Sequence, residues 1–216
     1  VDAHGSGAVA DKIVEVSTEV VEAFLGESVD AALGWMTVPA GNSDGGFRSI
    51  LFTDLGGSTS MAQRLGDAGA TRLLKLHDQI DRREIETQGG RVVKHTGDGF
   101  MVTFPGVTQA IRCAIGIQQV LRSHNASKDE LPLHVRIGIG AGEPVEDGDD
   151  LFGATVQLAR RVCDAAPPEC IWVANVVREL CLGKGFEFRA VGPTPLKGFA
   201  EPVALLTVER AAREAL

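Results

Sequence analysis

The chain has 216 residues, 44% of them hydrophobic and 23% charged, with a formal net charge of −8 at pH 7. That size and apolar content allow one domain of ordinary size plus an appendage, able to bury a full core without disulfide staples. The acidic balance argues against a nucleic-acid partner, because phosphate backbones are bound through clustered Lys and Arg.

An acidic protein that handles a polyphosphate needs metal cations to offset the repulsion. The four cysteines (Cys113, Cys163, Cys170, Cys181) show no C-x-x-C spacing and lie in apolar or helical settings, which predicts reduced, mostly buried thiols in a cytoplasmic chain. No stretch approaches 18 consecutive apolar residues and no charged-apolar-small leader is visible, so the expectation is a soluble protein with no membrane partner.

Residues 9–36 read as helix: Ile13, Val16, Val20 and Phe24 recur at steps of three and four, with acidic residues elsewhere on the wheel. Pro39–Gly46 is a flexible connector by composition, so residues 1–46 are expected to form a helical segment and linker, and 47–216 the body. The body opens with an apolar strand over 47–54, then helical text from Ser58 to about Gln88, broken near Gly66–Gly69. Strands over 91–95 and 99–104 flank a Gly-Asp-Gly turn and read as a hairpin. A helix over 107–123 and a strand over 133–141 follow, then a polar, turn-rich stretch over 142–150. The remainder reads as helix 153–165, strand 170–173, helix 175–182 and strands near 186–190 and 203–208. The order strand–helix–strand–strand–helix–strand over 47–141 predicts an α+β fold with a ferredoxin-like, split βαβ core, its helices on one face of an antiparallel sheet.

Two aspartates occupy matched settings: Asp54 closes an apolar run and opens into Gly56-Gly57-Ser58-Thr59, and Asp98 lies between Gly97 and Gly99. Carboxylates at strand ends beside glycines let backbone approach a ligand, and their hard oxygens suit Mg²⁺ or Mn²⁺ shared with phosphate. A pair of such ions about 3.5–4 Å apart is the usual device for in-line displacement at phosphorus.

Five motifs appear in order: FTDLGGST, KHTGDGF, RIGIGAGEPV, DLFGATVQLARRV and LKG. Together they resemble the catalytic domain of class III nucleotidyl cyclases, especially soluble bacterial adenylyl cyclases of the actinobacterial type, over about residues 47–208. The resemblance implies that Asp54 and Asp98, with Leu55 beside them, hold two divalent ions, Mg²⁺ or Mn²⁺. It implies that the amides of Leu55, Gly56, Gly57, Ser58 and Thr59 cradle the β- and γ-phosphates, which fits glycines leading into a helix start. Ser58 equally suits a plain helix N-cap.

Lys94 and Asp150 match the family's base-reading pair. Adenine offers an acceptor at N1 for Lys and a donor at N6 for a carboxylate; guanine reverses both, leaving two mismatched contacts. Gln157 and Arg161 match the transition-state pair, one helical turn apart, with Arg161 set to stabilise charge on the α-phosphate. Gln157 replaces the family's usual Asn and adds a methylene. Arg160 is expected to point elsewhere, in a surface ion pair, and His95 to alternate away from Lys94 and serve structure. Lys197 matches a phosphate-contacting lysine. The resemblance further implies a head-to-tail homodimer with composite sites and ATP as substrate. Guanylyl cyclase activity, a catalytically quiet nucleotide-binding module and a polymerase palm stand as alternatives.

Overall fold

The structure, a computed structural model, describes residues 46–127 and 131–209, with the side chains of 58–62 left aside. The expected helix over 9–36 and nearly all of the connector lie outside the described residues.

The elements in chain order are β1 (Arg48–Leu55), α1 (Ser58–Thr87), β2 (Arg91–His95), β3 (Phe100–Phe104), α2 (Val107–Asn125), β4 (Val135–Gly142), β5 (Val145–Asp147), β6 (Asp150–Phe152), α3 (Ala154–Ala165), β7 (Ile171–Ala174), α4 (Asn175–Leu180), β8 (Phe188–Thr194) and β9 (Val203–Val208). Seven strands form one sheet in the order β2-β3-β1-β4-β7-β9-β8, and β5 and β6 form a separate hairpin. The first four strands have the split βαβ arrangement; β4 and β7 pair parallel, joined through the α3 crossover. The break expected in the first helix is real: Gly66 has φ 66° and ψ 172°, so α1 is two helical pieces across a kink.

Strand alternation divides the side chains between two faces. Leu51 and Leu55 of β1 and Val135, Ile137 and Ile139 of β4 pack with Ile80 and Ile85 of α1 and Ile111 and Ile117 of α2. On the other face Ile50, Phe52 and Met101 pack with Ala159 and Cys163 of α3. Helices therefore cover both faces of the sheet: the two helices of the split βαβ unit share one face as expected, and α3, which follows that unit, takes the other. The physical reason is in RIGIGAG: Gly138 and Gly140 occupy the β4 positions under α3. A Cβ on Gly138 would overlap the backbone of Cys163, so the bare glycine is what lets α3 lie against the sheet.

The polar stretch before α3 also differs from expectation. It holds the β5–β6 hairpin, with Asp147 opposite Asp150 across a tight Gly148-Asp149 turn and Gly148 at φ 59°. Its Val145 and Phe152 face each other and are 63% and 47% exposed, an apolar pair left largely open.

Candidate active site

β1 carries Asp54 on its α3-facing side, where the residue is only 5% exposed. In the antiparallel register Arg136 of β4 stands opposite it. Arg136 Nε donates to Asp54 Oδ2 at 2.8 Å and its Nη2 lies 2.7 Å from the same oxygen. Arg160 Nη2 approaches the other oxygen, Oδ1, at 3.4 Å. A nearly buried carboxylate needs such hydrogen-bonding partners in place of the water it has lost.

Asp98 is brought beside Asp54 through the main chain. Leu55 N–H donates to the Asp98 carbonyl at 2.9 Å, and Phe100 N–H donates to Thr53 Oγ1 at 3.0 Å. Gly99 makes this crossing possible, because a Cβ there would overlap the Thr53 carbonyl oxygen. The two aspartates thus sit at adjoining strand ends, as the sequence reading required. Among the described residues no group of three or more His, Cys, Asp or Glu side chains gathers as a metal site. Two carboxylates from the protein, with phosphate and water oxygens completing the shell, are the donor set that Mg²⁺ and Mn²⁺ accept, so these residues fit such ions.

The glycine turn after β1 leads into α1 through Gly57, whose φ of 74° is a left-handed conformation suited to glycine. Gly57 is the residue ahead of the first helical turn and Ser58 the first helical residue, so the simple N-cap role for Ser58 does not hold. Leu55 and Gly56 donate their N–H groups to Asp98 O and His134 O, the latter at 2.8 Å. The expectation that these two amides face phosphate is corrected accordingly: the strand register and the neighbouring 131–134 segment already use them. Gly57, Ser58 and Thr59 supply the turn's remaining backbone.

On the same face, Lys94 Nζ donates to Asp150 Oδ2 at 2.5 Å, and Leu151 N–H donates to Asp150 Oδ1 at 2.8 Å. The Lys94 hydrogen bond first, then the Leu151 N–H, hold the Asp150 carboxyl below its ordinary range. Lys94 also lies 5.6 Å from the centre of the Phe152 ring. His95 points the other way, as expected: Gly97 N–H donates to its Nδ1 at 3.2 Å, and its Nε2 meets Asp78 Oδ1 of α1 at 3.1 Å. His95 steadies the turn that presents Asp98.

A cleft of about 260 Å³ is lined by Phe52, Lys94, Met101, Gln157, Arg160 and Arg161. Arg161 Nε donates to the Lys197 carbonyl at 3.2 Å and its Nη1 to Asp164 Oδ2 at 3.0 Å, which places Lys197 next to Arg161. Gln157 is exposed at the start of the same helix face. Lys94, Asp150, Gln157, Arg161 and Lys197, scattered over about a hundred positions, are thus gathered around one α3 face.

Arg160 departs from expectation. It lines the cleft and reaches both Asp54 and Asp164, the latter at 2.9 Å from Nε, in place of a remote surface pair. The sequence reading also passed over Arg136 and Asp164. Arg136 carried a signal: it is two residues before Gly138 on a strand whose alternate positions face α3, the side where Asp54 lies.

The sequence profile of the adenylate and guanylate cyclase catalytic domain matches residues 46–208. The chain belongs to this family. It is 27% identical over 161 residues to a putative adenylate cyclase 3 of Rhizobium meliloti, covering 74% of this chain and 27% of that protein. It is 32% identical over 157 residues to an adenylate cyclase of Mycosarcoma maydis, covering 61% of this chain and 6% of that one. The match therefore spans well under two thirds of either relative. Among solved structures, an adenylate/guanylate cyclase/hydrolase from Silicibacter pomeroyi superposes with a TM-score of 0.69 at 26% identity, covering 76% of this chain and 96% of that chain. The domain is a class III nucleotidyl cyclase domain with a cyclase fold. No helix among the described residues is long and apolar enough to cross a membrane.

Proposed function

We propose that residues 47–216 are an adenylyl cyclase domain, preceded by a helical segment and linker over 1–46, that converts ATP to 3′,5′-cyclic AMP and pyrophosphate. The observation that carries the choice of base is the Lys94–Asp150 pair at the cleft wall. A lysine donor and a carboxylate acceptor complement adenine N1 and N6, while guanine would leave both groups facing like partners.

The 3′-hydroxyl of the ribose gives its proton to water as its oxygen attacks the α-phosphorus, the bond from that phosphorus to the bridging oxygen breaks, and pyrophosphate leaves with the electron pair. Asp54 and Asp98, with Leu55 at their side, would hold two divalent ions, Mg²⁺ or Mn²⁺, which would supply acidification of the 3′-hydroxyl and charge to offset the phosphates. Arg161 bears the charge that accumulates on the α-phosphate oxygens, and Gln157 orients the ribose through its amide. Lys197, beside Arg161, meets the phosphate tail, and the turn through Gly56, Gly57, Ser58 and Thr59 bounds it.

Two copies in head-to-tail arrangement complete the sites, Asp54 and Asp98 from one and Lys94, Asp150, Gln157 and Arg161 from the other. The largely open Val145 and Phe152 beside the base readers support such a contact. Four free cysteines, three of them buried, suit a cytoplasmic setting. Incubation with ATP and Mn²⁺ is expected to yield cyclic AMP, and Asp54→Ala to abolish it. Equal product from that variant refutes the reading, and tight nucleotide binding without turnover selects the quiet module that Gln157 favours.

A further inference from the structure

We propose that Arg160 is a built-in counter-ion to Asp54, and that its exchange between Asp54 and Asp164 sets how tightly the site takes a divalent cation. The proposal rests on the reading of Asp54 as a metal ligand.

The two oxygens of Asp54 are held differently. Oδ2 is gripped by Arg136 at 2.7 and 2.8 Å, and Arg136 is braced in turn by Nη1 donating to the Asp164 carbonyl at 3.0 Å. Oδ1 meets Arg160 at the longer distance of 3.4 Å, and is the oxygen more easily given to a metal. A guanidinium and a divalent cation cannot share that position, since each is there for the same negative charge.

Arg160 has somewhere else to go. Its Nε is already 2.9 Å from Asp164 Oδ1, one helical turn along α3, so its guanidinium can leave Asp54 without losing an ionic partner. Its side chain is 34% exposed, which leaves it room to swing into the cleft. Asp164 also holds Arg161 through Oδ2 at 3.0 Å. The same carboxylate therefore receives Arg160 on release and anchors the arginine assigned to the transition state. Metal capture at Asp54 of one site and the setting of the same chain's Arg161, which serves the other site of the pair, are joined through one residue.

The test is nucleotide-free Mn²⁺ binding to the whole chain, followed by the electron paramagnetic resonance of unbound Mn²⁺. Asp54→Ala is expected to weaken binding. Arg160→Ala is expected to tighten it about five-fold, the size of a partly exposed ion pair expressed as an equilibrium ratio. Arg160→Gln removes the charge while keeping two of the side chain's three methylenes, and is expected to do the same if the alanine variant folds poorly. Asp164→Asn, which removes the fallback partner, is expected to loosen binding. If Asp54→Ala binds Mn²⁺ less well than wild type while both Arg160 variants match it, the counter-ion role is overturned and the metal reading survives. If Asp54→Ala binds as wild type does, the metal reading fails and the counter-ion role falls with it.

Discussion

Arg136 stands directly across the β1–β4 ladder from Asp54, with its guanidinium 2.7 Å from a carboxylate that is 5% exposed. The pairing ties Asp54, proposed above as a metal ligand, to the sheet. Replacing Arg136 with Ala strands most of a nearly buried charge, with Arg160 as a partial substitute. Discounting a full buried pair for the partial exposure of Arg136, the expected loss is about 1–3 kcal/mol of stability. Urea unfolding should show it as a lower midpoint with an unchanged slope.

Gly138 tests the packing of α3. With Ala in its place the Cβ meets the Cys163 backbone, which cannot move aside as a flexible side chain would. The expected cost is about 3 kcal/mol. Because α3 carries Gln157, Arg160 and Arg161, any cyclase activity should fall further than the lost stability explains. A thermally stable Gly138→Ala protein would remove the close-packing argument.

His77 and Asp81 form a buried pair inside α1, both 0% exposed, with Nε2 and Oδ2 3.2 Å apart. Burial lowers the His77 pKa, but the carboxylates of Asp81 and Asp78 raise it more, and it ends above 6.5. The sign follows from the raised folded value. The protonated pair contributes its stability fully below pH 6.5 and loses it as pH rises through the folded pKa. The melting temperature should therefore decline over that interval, and His77→Gln should flatten this part of the profile. A wild-type profile with no decline there would count against the pair.

The proposed base-reading role of Lys94 and Asp150 predicts selectivity. Lys94→Glu combined with Asp150→Cys removes the contacts suited to adenine and offers an acceptor to guanine N1–H. The preference for ATP over GTP should fall roughly a hundred-fold or more, given that unpaired polar groups weigh heavily in such discrimination. Competition between the two nucleotides measures the ratio directly; an unchanged ratio assigns base reading to other residues.

The proposed sharing of each site between two copies predicts complementation. Asp54→Ala and Arg161→Ala proteins, each inactive alone, should recover about a quarter of the wild-type rate when mixed, since half of the dimers then hold one intact site. No recovery after subunit exchange would place the whole site within one chain.

Much of the fold was legible because hydrophobic periodicity is local. Alternation and three-to-four spacing located β1 to β4 and the helices between them, and the kink at Gly66 was visible as a glycine in helical text. The second helical layer was not, since Gly138 and Gly140 read equally as weak strand positions and as room for a helix. The β5–β6 hairpin was hidden by its acidic residues, which mimic a solvated loop.

The sequence by itself determined which chemical groups are present and in what order: paired aspartates at glycine turns, a lysine before the second of them, an aspartate ending an acidic run, an amide and an arginine one turn apart. Tertiary structure decided which groups meet. Strand register put Arg136 against Asp54, α3 packing turned Arg160 inward between two carboxylates, and backbone hydrogen bonding took the Leu55 and Gly56 amides. The reason is physical: periodicity is carried by neighbours in the chain, whereas ion pairing depends on distances set only when strands and helices have packed.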